Sequence, residues 1–126
     1  MKRLLIIEPD GNIRRSLKQA LDDTYEVSFA TSASDAIDTA DAVDPDIVIT
    51  ELSLAGNSGF EFIYEFRSYN DWRSVPIIIY TSQQVTDDLR QSIGWQEVGI
   101  AAYLYKPQAK LSDVVDALEQ AVADES

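Results

Sequence analysis

Short apolar runs alternate with longer amphipathic stretches along the whole chain. Leu4 to Ile7, Val27 to Phe29, Ile47 to Thr50, Ile77 to Thr81 and Ala101 to Tyr105 predict five strands. Most of these runs are apolar at successive positions, the pattern of parallel strands covered on both faces. Between them lie five helix candidates. Ile13, Leu17 and Leu21 share a face in the first; Ala33, Ile37 and Ala40 do so in the second, with Ser32 or Ser34 placed to cap its start. Phe60, Ile63 and Phe66, flanked by Phe62 and Tyr64, mark the third. The fourth is expected from Val85 to Val98, interrupted by Gly94 at a cost of about 1 kcal/mol. Leu111, Val114, Val115, Leu118 and Val122 stripe the fifth.

Strict alternation of strand and helix predicts an α/β fold, a doubly wound parallel sheet with right-handed crossovers and helices on both faces. In such sheets ligands bind beyond the carboxyl ends of the strands. Glu8 and Asp10 follow the first strand, Glu51 ends the third, Thr81 ends the fourth and Lys106 follows the fifth. Three acids, a hydroxyl and an amine are therefore expected on one rim. An acid that closes a buried strand is costly unless solvated or paired, which makes Glu51 the first candidate for a site. The pattern has no internal repeat and no linker, so residues 1–123 read as one domain and Asp124-Glu125-Ser126 as an acidic tail.

Composition narrows the chemistry. Ten basic against 22 acidic residues give a formal charge of −12, which repels nucleic-acid phosphates and anionic lipid. A neutral or basic protein surface is the expected partner, although such a charge also serves plain solubility or a salty cytoplasm. With no cysteine and no histidine, disulfides, thiolate chemistry, cysteine zinc sites and the commonest general base are excluded. Carboxylates, hydroxyls and lysine remain. The N-terminal MKRLLII is broken by Glu8-Pro9-Asp10 before a signal sequence or membrane span could form, so a cytoplasmic protein is expected.

Four segments, LLIIEPDGNIRR, PDIVITELSLAGNSGFEFI, PIIIYTS and YLYKP, stand in the order and spacing of the response-regulator receiver domain, which the chain resembles over essentially its whole length. The resemblance implies a flavodoxin-like receiver fold: five parallel strands in the order 2-1-3-4-5 and five helices. It also implies an acid pair after the first strand that helps bind magnesium, a phosphorylated aspartate ending the third, a hydroxyl ending the fourth, and a Lys-Pro pair after the fifth.

Matched residue by residue, Glu8 stands at the first acid and Pro9 where the second, metal-ligating acid belongs. Asp10 is the local substitute or else the cap of the first helix. Any magnesium held by Glu8, Asp10, Glu51 and the Ser53 carbonyl is expected to be weak, since a small hard cation wants near-octahedral oxygen ligands. No other cofactor is expected. Glu51 stands at the phosphoacceptor, one methylene longer than aspartate, and a nucleophile displaced by about an ångström can lose roughly a hundredfold in rate. The extra length leaves two readings open: a permanent partial mimic of the phosphorylated state, or an inert acid held by Lys106. Lys106 matches the lysine that would pair with the phosphoryl group, and the Lys106-Pro107 bond is expected to be cis as in the family. Thr81 and Tyr103 match the hydroxyl and aromatic that relay the state of the site. Tyr103 is expected to point inward if Thr81 reaches Glu51. Ser82 is expected only to keep access open.

Other positions depart from the family. Ala55-Gly56 stands where proline-glycine is usual, Gln108 replaces a common aromatic, and Trp95 is either core packing or an exposed anchor. Trp72 is expected to cap the lower edge of the sheet.

The resulting expectation is a degenerate receiver without turnover: a phosphorylation-independent interaction module whose protein partner, or second copy, docks on the face of the fourth helix, fifth strand and fifth helix. With no output domain after residue 126 in this sequence, its effect is expected to pass through that contact, unless the chain is a fragment of a larger regulator. The alternative is a phosphorelay receiver that still takes phosphate on Glu51 with residual magnesium. A flavin carrier of the same strand order is disfavoured, because Glu8-Pro9-Asp10-Gly11-Asn12 lacks a hydroxyl-rich phosphate cradle and carries acids.

Overall fold

The computed structural model describes residues 1–54, 58–92, 94 and 98–125, except for the side chains of 89, 90, 92 and 125. The expected loop departure at Ala55-Gly56 and the two readings of Trp95 lie outside them. Strands β1 (Lys2–Ile7), β2 (Tyr25–Ala30), β3 (Ile47–Thr50), β4 (Ile77–Thr81) and β5 (Ile100–Tyr105) form one sheet. All pairings are parallel, in the order β2-β1-β3-β4-β5. Helices α1 (Gly11–Leu21), α2 (Ala33–Val43), α3 (Gly59–Ser68), α4 (Asp87–Ser92) and α5 (Leu111–Glu125) alternate with the strands, and a 3-10 turn at Asn70–Trp72 follows α3. No helix among the described residues is long and apolar enough to cross a membrane.

The double-sided apolar character of the strands has a direct structural meaning. Leu5, Ile7, Val48, Ile77 and Ile79 face one core with Ala36 and Ala40 of α2 and Phe62, Ile63 and Phe66 of α3. Their neighbours Leu4, Ile6, Ile47, Ile49, Ile78 and Tyr80 face a second core with Leu17 and Leu21 of α1 and Val114, Leu118 and Ala121 of α5. Period-two alternation therefore fills both cores at once.

Helix starts follow local chemistry. The Asp10 carboxylate accepts from the amides of Asn12 and Ile13 and caps α1; the Ser32 hydroxyl accepts from the Asp35 amide and caps α2. Several helical expectations need correction. Among the described residues of the span Val85 to Val98 the helix is α4, Asp87–Ser92, and Gly94 beyond it has φ +64°, outside right-handed helical geometry. The buried face of α3 is Gly59-Phe62-Ile63-Phe66, spaced i, i+3, i+4, i+7, so Phe60 is only partly buried and Tyr64 is exposed. Leu111, at the start of α5, is 40% exposed because the stripe turns inward only from Val114. Trp72 is in the core: its ring stacks on Phe66 at 4.7 Å and its indole N–H donates to Asp44 at 3.2 Å.

Two backbone features aim residues at the rim. Ile77 pairs with Ile100 but Ile78 pairs with Ala102, so Ala101 is an extra residue in β5. Such a bulge shifts the alternation of everything after it, and it sets Tyr103 opposite Ile79, against the α2/α3 core. At the start of α3, the Gly59 amide donates to the Leu52 carbonyl at 2.8 Å. A Cβ at Gly59 would lie 2.4 Å from the Glu51 carbonyl oxygen and 2.9 Å from the Leu52 Cα. The absent side chain is what lets α3 rest on the backbone that carries Glu51.

Gly59→Ala is accordingly expected to lower stability by about 1–3 kcal/mol, the usual range for a forced overpacking. Urea unfolding measures it, and an unchanged midpoint would contradict the close approach.

Candidate functional site

The sheet brings Glu8, Glu51, Thr81 and Lys106 together at the carboxyl ends of β1, β3, β4 and β5. Glu8 and Glu51 are each only 2% exposed. Burial of two carboxylates demands partners. Register fixes where the side chains start: the Glu51 amide donates to the Ile7 carbonyl at 3.0 Å and the Lys106 amide to the Thr81 carbonyl at 2.8 Å.

Glu51 accepts six hydrogen bonds from the described residues. Oε2 takes the amides of Leu52 at 2.5 Å and Ser53 at 3.0 Å together with the Thr81 hydroxyl; Oε1 takes Lys106 Nζ at 2.9 Å and the Ser82 amide and hydroxyl at 3.1 and 3.2 Å. A carboxylate offers about four lone-pair sites, so no acceptor capacity is left over. Burial alone would raise the Glu51 pKa; the bonds from Thr81, Lys106, Ser53 and Ser82 outweigh it and lower the value from 4.5 to about 2. The carboxylate is therefore ionised throughout the physiological range.

Lys106 binds both acids through one nitrogen. Its Nζ lies 2.6 Å from Glu8 Oε1 and 2.9 Å from Glu51 Oε1, with 13% of its side chain exposed. Burial would lower its pKa, but hydrogen bonds and charge attraction from Glu8 and Glu51 raise it instead. The ammonium also sits 5.4 Å from the centre of the Tyr80 ring, within cation–π range. The second oxygen of Glu8 accepts from the Asp10 amide at 3.1 Å.

Tyr103 is drawn in beneath the loop after β4. Its hydroxyl donates to the Gln83 carbonyl and accepts from the Val85 amide, both at 3.1 Å, while the Gln83 amide donates to the Thr81 hydroxyl at 3.0 Å. A chain of bonds thus runs from Glu51 through Thr81 and Gln83 to Tyr103.

The remaining expected residues are placed differently. Asp10 caps α1 with its carboxylate. Ser53 is exposed and pairs with Ser58 in an isolated antiparallel bridge. No cis peptide bond is present among the described residues, which corrects the expected cis Lys106-Pro107. Trans is intrinsically favoured by roughly 0.5–1 kcal/mol, and the Lys106–Gln108 turn closes in that form, with the Gln108 amide donating to the Tyr105 carbonyl at 2.9 Å.

A magnesium ion, implied by the resemblance, finds a poor donor set. Pro9 has no carboxylate, Asp10 is engaged as a cap, and the facing oxygens of Glu8 and Glu51 are both bonded to Lys106. No group of three or more His, Cys, Asp or Glu side chains among the described residues is arranged to hold a metal. The residues present do not fit the ion.

Two contributors escaped the sequence reading. Ser82 gives Glu51 two bonds where it was expected only to be small. Arg14 donates to the carbonyls of Glu8 and Pro9, both at 2.8 Å, and so fixes the loop that carries Glu8. Its place four residues after Asp10, one turn into α1, is the only available signal.

Comparison with known proteins adds an independent line. The family model for the response regulator receiver domain matches residues 4–119. The transcriptional regulatory protein PdtaR of Mycobacterium tuberculosis is 31% identical over 124 residues, covering 97% of this chain and 57% of that protein. The KDP operon transcriptional regulatory protein KdpE of Escherichia coli is 32% identical over 108 residues, covering 85% of this chain and 45% of that protein. The chain spans about half the length of such curated relatives. The chemotaxis response regulator CheY4 of Vibrio cholerae superimposes with a TM-score of 0.83 at 24% identity, covering 96% of this chain and 98% of that one, a likeness of fold.

Because the folded pKa of Glu51 lies below its unfolded value, its stabilisation is complete above pH 4.5 and is lost as pH falls toward about 2, an effect of about 3 kcal/mol. The stability difference between wild type and Glu51→Gln, read from urea unfolding at a series of pH values, is expected to narrow through this window. A difference independent of pH would contradict the arrangement.

Proposed function

We propose a function from one premise: the chain belongs to the response regulator receiver domain family, the receiver domains of two-component signal transduction. Receiver domains are signalling modules that act on other proteins. This one works as a phosphorylation-independent interaction module, without turnover, in which Glu51 stands in for a phosphorylated aspartate.

The observation that carries the reading is the destination of two donors. The resemblance assigns the Thr81 hydroxyl and the Lys106 ammonium to the phosphorylated state, and both are bonded to the carboxylate of Glu51 itself. The longer side chain reaches where aspartate would stop short. It carries one charge and two oxygens where a phosphoryl group has nearly two charges and three oxygens, so the mimicry is partial. The inward Tyr103, tied to Gln83 and Val85, supports the same reading.

The surface governed by this linkage is the face of α4, β5 and α5, where a protein partner or a second copy would dock in the cytoplasm. A chain of net charge −12 favours a basic or neutral protein there over nucleic acid or membrane. The chemistry of transfer is unfavourable for two reasons. Six donors hold the Glu51 carboxylate, and attack on a phosphodonor would cost several of those bonds. Each charge-assisted bond of this kind is worth about 1.5–3 kcal/mol.

Incubation with acetyl phosphate and magnesium is expected to leave the mass of the intact wild-type chain unchanged. Glu51→Ala, with or without the phosphodonor, is expected to move the amide resonances of Val85 and of residues 103–108 as the linkage is released. A stable phosphoryl adduct on Glu51 would instead support a working phosphorelay receiver, and unmoved resonances would leave Glu51 an inert acid.

A further inference from the structure

The site contains two buried carboxylates and one partly buried ammonium, and their arrangement is that of a cation site already filled. Glu8 and Glu51 come from different strands and turn one oxygen each toward the same point, where Lys106 Nζ sits at 2.6 and 2.9 Å. Glu51 Oε1 is one of those oxygens, and the other donor group on it among the described residues is Ser82. The second oxygen of each acid is bonded to backbone amides, with Thr81 added at Glu51, so the pair cannot turn away to accept a cation elsewhere. A magnesium ion would draw carboxylate oxygens to about 2.0–2.1 Å, around the position the ammonium now takes. Ion and ammonium therefore compete for one place.

We propose that Lys106 is a built-in replacement for the divalent cation: its ammonium neutralises the Glu8/Glu51 pair, keeps the pocket closed to magnesium, and makes the state of the domain independent of divalent ions. The balance of charge explains why the ammonium wins. Three ionised groups of total charge −1 are stable in the folded interior because the cation is covalently present and loses no translational freedom on binding. A magnesium ion would have to give up its own strongly held waters, displace Lys106 into solvent, and settle for two carboxylates without the third that Pro9 fails to provide. Removing the lysine charge reverses the balance. Two buried carboxylates would then face each other without a countercharge, and a divalent cation becomes the group that relieves them.

The inference rests on the proposed reading that this pocket takes no phosphate, but it concerns cation binding to the unphosphorylated chain. A phosphoryl adduct would remove that reading, whereas magnesium binding to the wild type would remove this one. The test compares melting temperatures of the full wild-type chain, Lys106→Met and Lys106→Met/Glu8→Gln in magnesium chloride and in sodium chloride of equal ionic strength.

The wild type is expected to show no magnesium-specific shift. Lys106→Met is expected to be less stable at neutral pH and to gain a saturable magnesium-specific rise in melting temperature, which the added Glu8→Gln abolishes. Lack of that gain in a folded Lys106→Met would overturn the proposal. A second measurement stands even if the variant fails to fold: manganese(II) titration of the wild type, followed by broadening of the Asp10 and Ser82 amide resonances. No saturable broadening is expected; saturable broadening removed by Glu8→Gln would overturn the proposal.

Discussion

The site depends on one ammonium held between two buried carboxylates. Glu8, Glu51 and Lys106 come from the ends of β1, β3 and β5, so their contact ties together strands that are not all neighbours in the sheet. An isolated charge in such a place would be prohibitively expensive. As a group, with amides from Leu52, Ser53, Ser82 and Asp10 and the hydroxyls of Thr81 and Ser82 completing the coordination of the acids, they are stable. The three are bonded to one another, and Thr81, bonded to Glu51, is joined through Gln83 to Tyr103.

This constraint separates what a receiver fold provides from what this chain does with it. The parallel sheet delivers strand ends to one rim whatever their chemistry. The residues at those ends then decide whether the rim takes a metal and a phosphoryl group or satisfies itself. In the proposed reading a longer acid at 51, a proline at 9 and a lysine between the acids move the chain to self-satisfaction, and the resulting surface is set by sequence.

Much of the fold was legible because its signals are local and repeated. Runs such as Ile47-Val48-Ile49 and Ile77-Ile78-Ile79 are apolar on both faces, and burial in both cores is their simplest outcome. The caps at Asp10 and Ser32 follow from short polar side chains just before helices. Positions decided by tertiary geometry were harder. Gly94 was legible as an interruption but not as the left-handed residue that follows a very short α4. Phe60, Phe62, Ile63 and Phe66 are all apolar, so periodicity alone could not select the buried face of α3. Arg67, whose guanidinium donates to the carbonyls of Trp72, Val98 and Gly99, looks in sequence like any exposed helical arginine. At the site, Glu51, Thr81 and Lys106 stood out because each ends or follows an apolar run. The bulge at Ala101, the close approach at Gly59 and the double donation from Ser82 are relations between distant backbones, and nothing in the local sequence encodes them.

The central claim is that Glu51 and Lys106 act as one unit. A double-mutant cycle with Glu51→Gln, Lys106→Met and the double variant, read by urea unfolding at neutral pH, measures this directly. The account predicts a coupling energy of about 1–3 kcal/mol. Effects that add to within about 0.5 kcal/mol, as for independent sites, would contradict it.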